Sequence, residues 1–309
     1  DELKEKLKPS FRAKQVYNWL YKKYANSYDE MKNIPNELKE DLKANYPIDV
    51  MEIVKKEQSI DGSIKYLFKL RDNHTVEAVL LLMKEKKKDE DGNIVRSEKY
   101  TVCISSQVGC KVGCTFCLTA KGGFVRNLTV GEYIAQIVNI KRDNDIAENK
   151  ALNIVYMGMG EPLDNFENFI KAVSIFSELD GLAISRRRQT VSTSGIASKI
   201  EKLGQIDLGI QLAISLHAVD DELRSELIPM NKAYNIASII DAVKKFPIDT
   251  RKKVMFEYLV IKNKNDSVEA AKKLIKLLNG IQAKVNLIFF NPYPGTTYQR
   301  LDVEDMLKF

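Results

Sequence analysis

Along the first part of the chain the apolar positions recur at helical spacing. Phe11, Val16, Trp19, Leu20 and Tyr24 form one stripe, Pro35 opens a second helix through Leu38, and Tyr46-Pro47 closes the segment. The spacing predicts a small helical N-terminal domain over residues 1–48. The period then drops to two: short alternating runs at 66–70 and 76–83, set off by Asp61-Gly62 and Asp72-Asn73, predict an antiparallel β-hairpin linker region over 49–98. Beyond Tyr100, apolar runs at 101–105, 153–157, 189–192, 209–216, 253–261 and 284–290 alternate with amphipathic stretches. Such runs read as buried strands with helices between them. Six βα units predict an α/β fold in which residues 99–309 form a partial (β/α)6 barrel, with polar motifs at the strand ends where such barrels place their sites.

The chain has 309 residues, 44% apolar and 29% charged, enough for one large core and a smaller one. No apolar run approaches the roughly 20 residues needed to cross a bilayer. The N-terminal D-E-L-K-E-K-L-K carries charge where a signal peptide is hydrophobic, so no membrane partner and a cytoplasmic location are expected. The net charge of +6 favours a polyanionic partner. Arg186, Arg187 and Arg188 form one basic cluster and Arg251, Lys252 and Lys253 another, each readable as phosphate contacts or as plain surface charge. Lys84, Lys86, Lys87 and Lys88 are followed at once by Asp89, Glu90 and Asp91, which reads more simply as a solvated hairpin turn around Asp91-Gly92.

Candidate chemistry starts with Cys110, Cys114 and Cys117 in V-G-C-K-V-G-C-T-F-C, three thiolates on one tight loop. Four thiolates fill the shell of a structural zinc or of a cubane cluster; three leave one position open for a ligand. A zinc knuckle that recruits Cys103, within an RNA-binding module without catalysis, is the bland alternative, since His74 and His217 lie far off in sequence. After the second barrel strand, Gly158-Met159-Gly160-Glu161-Pro162 pairs glycines that permit close backbone approach with a carboxylate suited to an ammonium group; it also reads as a helix-starting loop. The third strand ends in Ser192-Thr193-Ser194-Gly195 and the fourth in Ser215-Leu216-His217, hydroxyls fit to bind a ribose or a carboxylate, or to cap helices. Asn291-Pro292-Tyr293-Pro294-Gly295 ends the sixth as a turn that presents the Asn291 amide.

The C-x3-C-x2-C loop is similar to the signature of the radical S-adenosylmethionine (SAM) enzymes. With C-I-S-S-Q-V-G-C-K-V-G-C-T-F-C, M-G-M-G-E-P, S-T-S-G, S-L-H-A, N-P-Y-P-G and the opening F-R-A-K-Q-V-Y-N-W-L-Y, nearly the whole chain resembles the bacterial dual-specificity adenine-C2 methyltransferases of 23S rRNA and tRNA. The sister adenine-C8 family shares most motifs, but Val108 and Pro162 fit the C2 pattern better. The resemblance implies a [4Fe-4S] cluster on Cys110, Cys114 and Cys117, and SAM bound by Gly160, Glu161, Ser192, Ser215, Leu216, His217 and Asn291. It implies 23S rRNA and tRNA as partners, an electron donor such as flavodoxin, and a monomer.

The same resemblance implies a mechanism. One SAM methylates a carrier cysteine near the C-terminus; a second is cleaved to a 5′-deoxyadenosyl radical that activates that methyl group for attack on adenine C2. Cys103 then attacks the carrier sulfur, implying a disulfide bond, while Glu77 removes the C2 proton. By local pattern alone Cys103 is a small hydrophobe on an apolar strand and Glu77 the polar face of an edge strand. Burial near the barrel mouth would raise the Glu77 pKa as a base requires. The adenine must be unstacked to expose C2, with Arg126, Arg186 and Arg187 as candidate phosphate contacts at the rim. Phe11, Tyr17 and Trp19 read as RNA contacts or as the helical domain's own core. The sequence runs from Asp1 to Phe309 without the family's A-C-G-Q-L-like carrier segment. The expectation is a chain trimmed at both ends that binds cluster and SAM without methylating.

Overall fold

The computed structural model describes residues 2–48, 51–84, 87–88, 94–96, 98–150, 152–248 and 252–309. The turn expected at Asp91-Gly92 and the cation Arg251 lie outside the described residues. Two compact units result: Asp1–Ser106 with Asn127–Gly158 and Glu167–Gln189, and Gln107–Arg126 with Met159–Phe166 and Thr190–Phe309.

The first unit opens with helices Glu2–Lys6, Phe11–Tyr21 and Asn36–Asn45, the last starting directly after Pro35. Their core holds Leu7, Ala13, Val16, Tyr28, Met31, Ile34 and Leu42, with Trp19 and Leu20 packed against it. Phe11 is 54% exposed, against the expected stripe. It stands five residues before Val16, a spacing that places it off the helix face that Val16 buries. Five strands follow: Glu52–Gln58, Ile64–Lys69, Thr75–Lys84, Lys99–Cys103 and Leu152–Tyr156. The first four pair antiparallel in that order and the last two pair parallel. Val76, Ala78, Leu80, Val102, Ile104 and Ile154 all point into the core from one face. The alternation of a strand therefore sends Glu77, Val79 and Cys103 to the other. Lys87–Lys88 and Ile94–Arg96 pair antiparallel, as a hairpin there requires.

Helix Val130–Asp143 begins at a capping box: Thr129 Oγ1 accepts from the Glu132 N–H at 3.1 Å, and Glu132 Oε2 accepts from the Thr129 N–H at 2.8 Å. Its far end is anchored where the Tyr66 hydroxyl donates to Asp143 at 2.6 Å and the Asn144 amide donates to Tyr66 at 2.7 Å.

The second unit carries the parallel strands Gln189–Thr193, Gln211–Ser215, Val254–Val260 and Ala283–Phe289, paired in that order, with helices Ala197–Ile206, Asp221–Leu227, Ile236–Lys245 and Val268–Leu277 in the connections and Val303–Lys308 after the last strand. All six barrel strands expected from the apolar runs are present, with ends displaced by no more than two residues. A short pair, Gln107–Gly109 with Phe124–Asn127, escaped the pattern because strands of three and four residues are too brief to show a period. Arg186–Arg188 form a 3-10 turn just before a strand. Among the described residues no helix is long and apolar enough to cross a membrane.

Thr129→Ala should destabilise the chain by about 1 kcal/mol through loss of the capping box. Urea unfolding would show this as a lower midpoint with an unchanged slope; an unchanged midpoint would mean the box contributes nothing.

Candidate active site

The cysteine loop lies wholly in the second unit. Gly109 closes its base with φ +75°, and a Cβ there would stand 1.9 Å from the Gly123 carbonyl oxygen, so only glycine fits. The Cys110 N–H donates to that same carbonyl at 2.8 Å. Further along, the Thr115 N–H donates to the Leu227 carbonyl at 3.0 Å and Thr115 Oγ1 hydrogen-bonds the Tyr298 hydroxyl at 2.8 Å. Cys110, Cys114 and Phe116 pack on a core of Val112, Ala218, Leu227, Ile228, Leu259, Ile261 and Phe290. The Phe116 ring meets His217 edge-on, centroids 5.1 Å apart.

Burial, reinforced by neighbouring thiols of the set, pushes the Cys110 thiol up to about 11 and Cys114 up to about 12. Soft donors within electrostatic reach of one another, ionising only against added positive charge, suit an iron–sulfur cluster. Among the described residues no three His, Cys, Asp or Glu side chains are gathered as they are around a single ion. All four cysteines are free, so the expected disulfide bond is not supported within this chain.

Glu161 is 3% exposed. Its Oε2 accepts from the Ser194 N–H at 2.7 Å and its Oε1 from the Leu163 N–H at 3.0 Å. Its own N–H donates to Gln107 Oε1 at 2.9 Å, while Gln107 Nε2 donates to Asp164 at 2.7 Å. Burial raises the Glu161 pKa, and the Ser194 and Leu163 amides pull it back. The carboxylate expected to face an ammonium group bridges two loop amides in the structure. Of the two glycines, Gly160 takes φ +97°. Gly158 makes its close approach to protein backbone: its Cβ would stand 2.7 Å from the Ile104 carbonyl oxygen.

Ser192 and Ser215, on neighbouring strands, bring their hydroxyls to 3.5 Å. Leu216 is fully buried, and its N–H and carbonyl are taken by Glu257 and Arg224. His217 takes φ +58°, and its Nδ1 accepts from the Leu259 N–H at 2.9 Å, which leaves the ring hydrogen on Nε2. Burial, helped by the Arg224 charge, drives its pKa down to about 3. Asn291 follows the last strand, exposed, its Oδ1 accepting from Arg300 at 2.9 Å.

Glu77 and Cys103 belong to the first unit. The register pairs Val79 with Cys103, which sets Glu77 two residues along the same face, its carbonyl accepting from the Ser105 hydroxyl at 2.6 Å. Burial pushes the Cys103 thiol up to about 11. Contrary to the burial expected of it, the Glu77 side chain is 42% exposed and ion-paired with Lys65 at 2.7 Å, because Val76 and Ala78 take the core positions of its strand.

Sequence reasoning missed Gln107, Arg224 and Glu257. Glu257 left a signal, a lone carboxylate in the apolar V-M-F-E-Y-L-V; it is 6% exposed and accepts from the Asn286 amide at 2.7 Å. Arg224 left none, since D-E-L-R-S-E-L reads as a solvent-facing helix.

A radical SAM superfamily model matches residues 104–299, and a ribosomal RNA large subunit methyltransferase N-terminal domain model matches residues 2–48. The chain is 89% identical over its full length, and over 86% of the relative's, to a protein of Aliarcobacter butzleri named dual-specificity RNA methyltransferase RlmN. Another of that name from Sulfurimonas denitrificans is 64% identical at the same coverage. The chain belongs to the RlmN family of radical SAM RNA methyltransferases. The crystal structure of a radical SAM methyltransferase from Sphaerobacter thermophilus superposes with a TM-score of 0.90 at 40% identity, covering 99% of this chain and 88% of that one. Neither the zinc-module reading nor the C8 reading is favoured by these matches. RlmN enzymes use a [4Fe-4S] cluster and SAM, and three half-buried thiols on one loop are a donor set that fits the cluster.

His217 yields a pH prediction. The unfolded chain protonates this residue near 6.5 and the folded chain only near 3, so stability falls as pH drops below about 6.5. Between pH 6.5 and 5 the metal-free chain should lose on the order of 2 kcal/mol through this residue. Urea titrations of wild type and His217→Asn should diverge in pH slope; parallel slopes would refute the assignment.

Proposed function

We propose that the enzyme to which this sequence belongs methylates C2 of an adenine in 23S rRNA and in tRNA through a carrier cysteine that is not among the four of this chain, with Cys110, Cys114 and Cys117 holding the cluster and Gly160, Glu161, Ser192, Ser215, Leu216, His217 and Asn291 forming the SAM site. The observation that carries the site assignment is convergence within one unit: Phe116 of the cysteine loop packs on His217, and Glu161 bonds the loop that follows Ser192. Bound there, the cluster and SAM supply a carbon-centred radical by one-electron reduction of the sulfonium. The protein's own residues orient and exclude water. Ser192 and Ser215 present paired hydroxyls to a ribose, and neutral His217 offers its Nε2 hydrogen without adding charge.

Cys103 acts as the resolving thiol and Glu77 as the base. In support, the strand register pairs Cys103 with Val79 and sets the Glu77 carboxylate two residues along the same strand face. Glu77 is ion-paired with Lys65 at 2.7 Å. We infer a division of labour in which the helical segment 1–48 serves the RNA, the β linker 49–98 contributes the base Glu77, and 99–309 holds the cluster, SAM and Cys103. Arg126, Arg186 and Arg187 contact phosphates, an electron donor such as flavodoxin reduces the cluster, and the enzyme works as a monomer.

Anaerobic reconstitution with iron and sulfide should load about four irons per chain. Serine at 110, 114 or 117 should abolish loading while Cys103→Ser retains it, and stoichiometric zinc with no colour would sink the cluster assignment. Mass spectrometry of RNA from cells with and without the intact gene should show 2-methyladenosine disappearing; loss of 8-methyladenosine would transfer the chain to the sister activity.

A further inference from the structure

We propose that Arg224 is a positioning residue for SAM: its guanidinium, without touching the cofactor, sets the spacing of the strand ends that bind it. This rests on the assignment of those strand ends to SAM made above.

Arg224 is fully buried on helix Asp221–Leu227. Its Nε donates to the Leu216 carbonyl at 3.0 Å, and its Nη2 to the carbonyls of Ser215 at 3.0 Å and Ser194 at 2.5 Å. Its Nη1 donates to Asn231 Oδ1 at 2.8 Å. One side chain therefore joins the ends of two neighbouring strands, Gln189–Thr193 and Gln211–Ser215.

The head group is itself held. Asn231 Nδ2 donates to the Asp221 carbonyl at 3.1 Å, to Asp221 Oδ1 at 3.0 Å and to Ser225 Oγ at 2.9 Å, and the Asp220 carboxylate caps the helix at the Leu223 N–H. Ser194 is pinned on both sides, its N–H to Glu161 and its carbonyl to Arg224. A continuous path of hydrogen bonds thus runs from the loop after Gly160 through Ser194 and Arg224 to Leu216. Every residue assigned to SAM on those three loops lies on this path or beside it. The planar fork of an arginine, with five donors in fixed directions, reaches carbonyls on separate segments at once; the single ammonium of a lysine does not.

The test uses the full chain reconstituted with iron and sulfide, as wild type, Arg224→Lys and Arg224→Ala. Iron content, far-ultraviolet circular dichroism and the SAM dissociation constant by equilibrium dialysis are read together. Losing a charge-assisted set of bonds at the strand ends should raise the dissociation constant about 10- to 100-fold in both variants, with iron content and fold retained. Millimolar guanidinium, against sodium at equal ionic strength, should restore SAM binding to Arg224→Ala but not to Arg224→Lys, whose side chain fills the space. In the metal-free chain, peptides spanning 192–196 and 213–218 should exchange amide hydrogens faster in the variants. An unchanged dissociation constant in folded variants overturns the proposal, as does loss of iron alongside SAM or failure of both variants to fold. Wild type that carries its cluster but binds no SAM would instead overturn the assignment of the site, and this inference with it.

Discussion

Strand ends buried away from water must find partners for every N–H and C=O they carry, and the site is organised around that demand. Gln107 accepts from Glu161, Glu161 accepts from Ser194, Ser194 accepts from Arg224, and Arg224 reaches Ser215 and Leu216. Leaving one such group unpaired costs about 1–3 kcal/mol, a sizeable share of the roughly 5–15 kcal/mol that separates folded from unfolded chains. The loops are consequently held to each other as much as to the strands that carry them. Loop geometry is set before any ligand arrives, which lowers the ordering cost of binding one.

Burial acts on the titratable groups in one direction. Cys110 and Cys114 are pushed up, Glu161 is pushed up, and His217 is pushed down, so each is driven toward its neutral form. Arg224 opposes this at Cys114, where it favours the thiolate, and reinforces it at His217, where it disfavours the charged ring. A site of that kind ionises its thiols only against a strong local positive charge, which is what iron provides to sulfur ligands. Across the β strands of the first unit Glu77 stays in partial contact with solvent and pairs with Lys65, whereas the half-buried Cys103 two residues along the face has its thiol pushed up by desolvation.

Much of the architecture was legible from the chain itself. The six parallel strands announced themselves as apolar runs, and the antiparallel region as a period of two, because both patterns arise from which face of a local element meets the core. The helical stripe was right at Val16 and wrong at Phe11, since periodicity predicts a face but not where the chain enters it. The cysteine loop, Gly158 to Pro162, Ser192 to Gly195 and Ser215 to His217 were visible as motifs because each is contiguous. Glu257 stood out as a charge inside an apolar strand and was passed over; Arg224 was hidden, as its helix has the composition of a surface segment.

Sequence alone determined the donor set, the strand order in time along the chain, and the family to which the motifs point, because covalent spacing places those groups whatever the rest of the fold does. Only the tertiary structure decided that Ser192 faces Ser215, that Phe116 rests on His217, that Glu77 keeps water and that Arg224 loses it. Those outcomes depend on which segments come together across long stretches of chain. Burial, and with it the partner and charge of each polar group, is a property of that meeting and is not written in any local run of residues.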